Sequence, residues 1–187
     1  MRRKPIILSV ALIVGACSQQ DGDKPPLSRA NQAGQATKLP PDPFGWPIVD
    51  RTNKRVGTVT TRLGERGVQV TVETLGLPPG VHGVHIHEIA KCELPAFASA
   101  GGHWNWTSRK HGHKNPEGHH AGDLGNLSVV TDGKGYATFL VPTNEWDPKK
   151  VGGLPIVIHA APDDELTDPS GNSGERIACG ILYLRRD

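Results

Sequence analysis

The stretch Val68-Gln69-Val70-Thr71-Val72-Glu73 sets an apolar side chain at every second position with a polar one between. A period of two belongs to a β-strand with one face in a core and the other in water; a helix would repeat every three to four residues. The alternation returns in Ala137, Phe139 and Val141 against Tyr136, Thr138 and Leu140. Further strand candidates are 46–50, 56–62, 81–87, 127–131, 155–159 and 177–184, about eight in all, with Pro47 expected to confine the first to a sheet edge. Turn residues separate them at Gly64 to Gly67, Leu77 to Gly80 and Thr131 to Gly135. Composition agrees, because 23 Gly and 16 Pro among 187 residues disfavour helices and favour turns. The length suits one domain, and the pattern predicts an all-β, antiparallel barrel or sandwich.

The start of the chain reads as an address. Arg2, Arg3 and Lys4 precede Pro5 to Ala16, an apolar run of 12 residues, too short to span a hydrocarbon core of roughly 30 Å and suited to the core of a signal peptide. Val14-Gly15-Ala16-Cys17 resembles the lipobox of bacterial lipoproteins. Residues 1–16 are therefore expected to be a signal peptide, and Cys17 to carry a lipid that holds the protein on a membrane surface. Ser18 is compatible with sorting to the outer membrane. The polar composition of 17–43 predicts a disordered tether with a reach of roughly 25 to 30 Å, followed by a folded domain over 44–187.

Without Arg2, Arg3 and Lys4 the charge balance is 18 basic side chains against 19 acidic ones, and no basic run remains. A nucleic-acid partner is thereby excluded. With Cys17 lipidated, Cys92 and Cys179 form an even pair in an oxidising compartment, where a disulfide is expected. It would close 87 residues, worth at most about 4 to 5 kcal/mol by chain entropy.

Glu88 to Gly125 and Ala160 to Glu175 break the strand rhythm as two long, polar, Gly-rich loops, and long loops on a compact β domain usually carry function. All nine histidines lie between positions 82 and 159. His85 and His87, two apart on one strand, share a face and can grip one metal, whereas His82 has the parity of Val84 and Ile86 and belongs to the core. His87-Glu88 opens a zinc-peptidase H-E-x-x-H motif, but position 91 is Lys and the setting is a strand, so that reading fails. In the first loop His103, His111, His120 and Asp123 supply three imidazoles and a carboxylate, a set that suits tetrahedral Zn²⁺. His113 and His119 are further imidazoles, and spacing alone does not choose between 111 and 113 or between 119 and 120.

Four separated motifs, H-G-V-H-I-H-E from His82, G-G-H-W-N from Gly101 followed by two histidines and G-D-L, V-I-H-A-A-P-D-D from Val157, and G-N-S-G-E-R-I-A-C-G from Gly171, resemble those of bacterial copper/zinc superoxide dismutases. The resemblance covers about Phe44 to Asp187 and implies an eight-stranded Greek-key barrel or sandwich, immunoglobulin-like in architecture, with two functional loops. It implies one copper per chain on His85, His87, His103 and His159, and one zinc on His103, His111, His120 and Asp123, with His103 serving both. Asp163 would accept hydrogen bonds from one histidine of each site, Cys92 and Cys179 would form the family's disulfide, and Arg176 would be its active-site arginine. The implied activity converts superoxide to O₂ and H₂O₂ at a redox-active copper bridged through His103 to a structural zinc, with His103 taking a proton.

The alternative class is a copper buffer or delivery module on the same fold, which copper held without an open face for substrate would favour. The expected partners are superoxide and, through the lipid, a bacterial membrane on its periplasmic side; oligomeric state is left open, with a homodimer among the states allowed. Val84 where the family usually has Phe, Trp106 where Pro commonly follows the Asn, and Leu154-Pro155 in place of a more polar pair depart from the pattern without removing a ligand. The second loop has no Lys, which leaves Lys110 and Lys114 as candidates to steer an anion.

Overall fold

A computed structural model describes residues 45–142, 145 and 153–184. The expected signal peptide, Cys17 and the tether over 17–43 lie outside the described residues. Eight strands are present: β1 (Trp46–Asp50), β2 (Arg55–Gly64), β3 (Gly67–Leu75), β4 (Gly80–Ile86), β5 (Asp123–Val129), β6 (Lys134–Pro142), β7 (Leu154–His159) and β8 (Arg176–Leu182). They close into an antiparallel barrel in the order β1-β2-β3-β6-β5-β4-β7-β8, with β8 pairing back onto β1. Consecutive β4, β5 and β6 lie side by side while β7 returns to the far side of β4, which is the Greek-key order. Of the two architectures expected from the sequence, the closed barrel is the one formed.

All the strands expected from alternation are found, and two details differ. β1 is not an edge strand: it lies between β2 and β8. Pro47 pairs with Thr58 on β2, and the ladder to β8 starts one residue later, at Ile48↔Gly180, so β8 does not require its missing N–H. β5 starts at Asp123, four residues before the expected 127, because Asp123, Leu124 and Gly125 are buried in succession and leave no alternation to read.

The barrel interior is filled by the inward set of each strand, among them Ile48, Val59, Val70, Val72, Ile86 and Leu127, all buried. Burying such a side chain is worth about 1.5–3 kcal/mol, and this interior is what makes the barrel wall rigid. A second, smaller cluster lies outside that wall: Phe97, Ala100, Val157 and Cys179, with Val49 and Cys92 against it. Val157 and Cys179 face each other across β7 and β8. The disulfide Cys92–Cys179 and the buried Phe97 ring thus fasten the first part of the long loop after β4 onto the outer face of β7 and β8. A covalent tie and an apolar plug, rather than secondary structure, position that loop.

Val84 is buried in the interior, opposite Gly125 on β5 and Ile158 on β7. Restoring the larger family residue here forces extra carbons into a filled core. Val84→Phe is expected to destabilise the protein by about 1–3 kcal/mol, read as a lower denaturant midpoint with unchanged slope; a midpoint at or above that of the parent would show free space beside Ile158.

Candidate metal centre

The centre forms where β4, β5 and β7 deliver their ends to the two long loops. His85 lies at a register shift between Val84 and His85 on β4, His87 follows the strand and bridges to His103, and His159 closes β7. All three, with His103, His111, His120, Asp123 and Asp163, are buried. His82 is buried too, but its ring nitrogens lie 2.7 Å from His159 O and 2.9 Å from Pro78 O, so it braces the strands as its parity predicted.

Two donor sets overlap at His85 and His103. Ligand atoms of His85, His87, His103 and His159 all lie within 4.8 Å of one another, as do those of His85, His103, His111 and Asp123. In the first set each ring has one nitrogen spoken for. His87 Nδ1 donates to Gly101 O at 3.0 Å, His159 Nδ1 to Gly174 O at 3.0 Å, and His85 Nε2 to Asp163 Oδ2 at 2.8 Å. Those bonds fix the proton on one nitrogen and leave a lone pair on the other. The remaining nitrogens, His85 Nδ1, His87 Nε2, His103 Nε2 and His159 Nε2, are buried and have no hydrogen-bond partner. Four convergent imidazole lone pairs with no proton to accept are a donor set for a borderline cation such as Cu²⁺.

Around Asp123, whose Oδ1 lies 2.9 Å from His103 Nδ1 and 3.1 Å from His111 Nδ1, a further imidazole outside that second set comes close: His120 Nδ1 lies 3.2 Å from the same oxygen and 3.4 Å from His103 Nδ1. A tetrahedral cation with bonds of about 2.0–2.1 Å holds its donors about 3.3–3.4 Å apart. The three imidazoles and one carboxylate therefore fit zinc. Asp123 is oriented by its other oxygen, which accepts from Gly112 N at 2.8 Å and His120 N at 3.0 Å.

The sets are coupled by Asp163, whose two oxygens accept from His85 Nε2 at 2.8 Å and His111 Nε2 at 3.0 Å. Its own place is fixed by Asn126, which exchanges two hydrogen bonds with the Asp163 backbone at 2.8 and 2.9 Å. Gly171, at φ +63°, passes so close that a Cβ there would fall on Asp163 Oδ1 and 2.7 Å from His111 Nε2. Neither Asn126 nor Gly171 was singled out from the sequence, since their partners are remote along the chain. The spacing left 111 against 113 and 119 against 120 open; the geometry brings His111 and His120 to Asp123 and leaves His113 and His119 outside.

Burial, then the neighbouring imidazoles, hold His87 down at about 2; burial lowers His85 to about 3 and His159 to about 4 against their hydrogen bonds. All three rings are neutral at physiological pH, the form in which an imidazole can ligate a metal. Burial pushes His111 down as well, but Asp123 and Asp163 on either side outweigh it and raise the ring to about 9. Both carboxyls resist ionisation through burial, yet the imidazoles around them hold them well below the usual range.

Arg176 is half-buried and donates to Phe97 O at 2.7 Å and Gly101 O at 2.6 Å. Glu175 next to it pairs instead with Arg51 at 2.7 Å. Among the described residues no carboxylate forms an ion pair with Arg176. Lys110 and Lys114, the other steering candidates, are paired with Asp168 at 3.0 Å and Glu165 at 3.2 Å, so their charges are locally offset. Trp106 is exposed and donates its indole N–H to Glu145 O at 2.7 Å.

Comparison with known proteins agrees with this barrel and this centre. The family model described as copper/zinc superoxide dismutase matches residues 55–182. The chain belongs to the copper/zinc superoxide dismutase family. It is 41% identical to a copper/zinc superoxide dismutase of Aquifex aeolicus over 142 residues, covering 72% of this chain and 84% of that one. It is 37% identical over 187 residues to the superoxide dismutase-like protein YojM of Bacillus subtilis, covering 95% and 93%. The solved Cu/Zn superoxide dismutase from Brucella abortus is 29% identical with a TM-score of 0.62, over 74% of this chain and 97% of that one. The chain's activity is accordingly the dismutation of superoxide, and its metals are copper and zinc.

For the metal-free protein the depressed histidines set the pH response. Because His85, His87 and His159 titrate lower folded than unfolded, the unfolded chain binds protons first as pH falls, and the stability they contribute is complete above about 6.5 and lost progressively toward about 2. His111, raised to about 9, acts in the opposite sense but only between about 6.5 and 9. The melting temperature of the metal-free protein is expected to fall between pH 7 and pH 4.5; a constant or rising value would show that these rings are not buried as neutral groups.

Proposed function

We propose that dismutation by this chain occurs at a copper held by His85 Nδ1, His87 Nε2, His103 Nε2 and His159 Nε2, beside a zinc held by His103 Nδ1, His111, His120 and Asp123, so that His103 joins the two. The observation that carries this reading is the set of four buried, unpartnered imidazole nitrogens converging beside Asp123 Oδ1, which gathers His103, His111 and His120 within 3.2 Å. Copper, when bound, supplies a one-electron couple that accepts an electron from one superoxide and gives it to the next, while zinc supplies none. His103 Nε2 is the atom at which the chain can hold a proton for the peroxide product, its Nδ1 being fixed toward the zinc donors.

Arg176 is proposed to attract and orient the anion. A guanidinium stays charged at any working pH, and its two backbone carbonyl partners hold it in place without neutralising it. The support is that the same Gly101 oxygen also receives His87 Nδ1–H, so the arginine and a copper histidine share one anchor. Steering of superoxide by a local positive field is a known property of superoxide dismutases.

The chain is further proposed to be exported, with residues 1–16 as signal peptide, a lipid on Cys17, residues 17–43 as tether and 44–187 as the enzyme domain on the periplasmic side of a bacterial membrane. The Cys92–Cys179 disulfide supports an oxidising compartment. A homodimer remains compatible with this reading.

Two outcomes test the assignment. Asp123→Ala is expected to lose zinc while copper stays on its histidines, and His87→Ala to abolish turnover with zinc retained, both read by metal analysis beside the assay; loss of both metals in both variants would indicate a single histidine cluster. Arg176→Ala is expected to lower kcat/KM by about tenfold at full copper content, and Arg176→Glu by more, with the parent's rate falling as ionic strength rises. Parental rates and salt response in both variants would make the arginine structural.

A further inference from the structure

His113 and His119 lie beside the centre and belong to neither donor set. Their ring centroids lie 4.1 Å apart with the planes tilted by 49°. His113 Nε2 donates to Asp123 O at 2.9 Å, and His119 Nδ1 donates to His120 O at 2.9 Å. Both carbonyls belong to one turn, closed by Asp123 N on His120 O at 3.1 Å. A carbonyl only accepts, so these bonds place the proton and leave a lone pair on His113 Nδ1 and on His119 Nε2.

The two nitrogens of an imidazole point out of opposite sides of the ring. Rings that both aim one nitrogen at the same turn therefore aim the other away from it. A ring whose proton is fixed on a backbone carbonyl is the arrangement that metal-binding histidines use, and His87 and His159 of this chain share it. On that outer side stands a carboxylate: Glu145 Oε1 lies 3.6 Å from His119 Nε2, and the Glu145 backbone is pinned by the Trp106 indole. His113 is exposed and the other two partly so, which leaves room for water to complete a coordination shell.

We propose that His113 Nδ1, His119 Nε2 and the Glu145 carboxylate form a third metal site, on the surface of the zinc-bearing loop, for an exchangeable borderline divalent cation. Closing all three donors on one ion requires the Glu145 carboxylate to swing from His119 toward His113, a rotation within reach of a glutamate side chain. Mixed nitrogen and oxygen donors with open positions bind Cu²⁺ ahead of Zn²⁺ in the general order of affinities. The site goes beyond the two centres of the proposed function and does not depend on which ligand holds which metal there.

The test uses the full chain without an affinity tag, loaded with one copper and one zinc. Cu²⁺ is added in graded amounts with glycine as a weak competitor, unbound metal is removed by gel filtration, and the product is examined by metal analysis and electron paramagnetic resonance. The parent is expected to retain about one further equivalent of copper, with a second Cu²⁺ signal split by nitrogen. In His113→Gln/His119→Asn the side-chain amides can still donate to the two carbonyls, so the turn is kept, but the outward imidazole nitrogens are replaced by weakly ligating amide oxygens. That variant should hold its two resident metals and lose the added one, and Glu145→Gln should bind it about tenfold more weakly. Absence of the further equivalent from the parent, or its persistence in the double variant, overturns the site.

Discussion

The Asp163 carboxylate reaches two imidazoles with its two oxygens, His85 on one side and His111 on the other, and most of the centre's geometry follows from that bridge. A buried carboxylate is costly unless it is fully hydrogen-bonded, and here the cost is offset by both rings and by the Glu165 backbone N–H at 2.6 Å. Because His85 gives its Nε2 proton to Asp163, its other nitrogen is left free, and His85 alone of its set offers Nδ1. Asn126 holds the Asp163 backbone to β5, the same strand that begins with Asp123. The two carboxylates that order the rings are thus referred to one rigid wall of the barrel. Gly171 has no room for a side chain because the second loop must pass directly over this bridge.

The opposite side of the centre is positioned by a different device. No strand supports the stretch from Glu88 to Gly102; it is held by the Cys92–Cys179 bond and by Phe97 buried against Val157. Phe97 O and Gly101 O, both on that stretch, receive the guanidinium of Arg176, and Gly101 O also receives His87. Disulfide, arginine and His87 therefore form one mechanical unit. His87 and Arg176 are thus held by the same few backbone carbonyls.

The barrel was legible because its strands are half-buried: Val68, Val70 and Val72 in β3 and Ala137, Phe139 and Val141 in β6 alternate as a solvated face requires. It was least legible at β5, where Asp123, Leu124 and Gly125 are covered by loops on one face and core on the other, and at β1, where a proline suggested an edge that a closed barrel does not possess. Histidine content and spacing pointed to the centre, while the choice of His111 and His120 over His113 and His119 needed the resemblance, since only folding shows which rings reach Asp123. Asn126, Gly171 and the carbonyls of Gly101 and Gly174 were invisible, because a backbone oxygen carries no sequence signature and their partners lie up to 75 residues away.

The central claim is that the two nitrogens of His103 belong to two different metals. Diffraction from crystals of the loaded protein, with anomalous difference maps recorded on either side of the copper and zinc absorption edges, addresses it directly. The account predicts one copper peak among His85 Nδ1, His87 Nε2, His103 Nε2 and His159 Nε2, and one zinc peak among His103 Nδ1, His111, His120 and Asp123. A map in which His103 touches a single metal, or in which the peak beside Asp123 carries the copper edge, would contradict it.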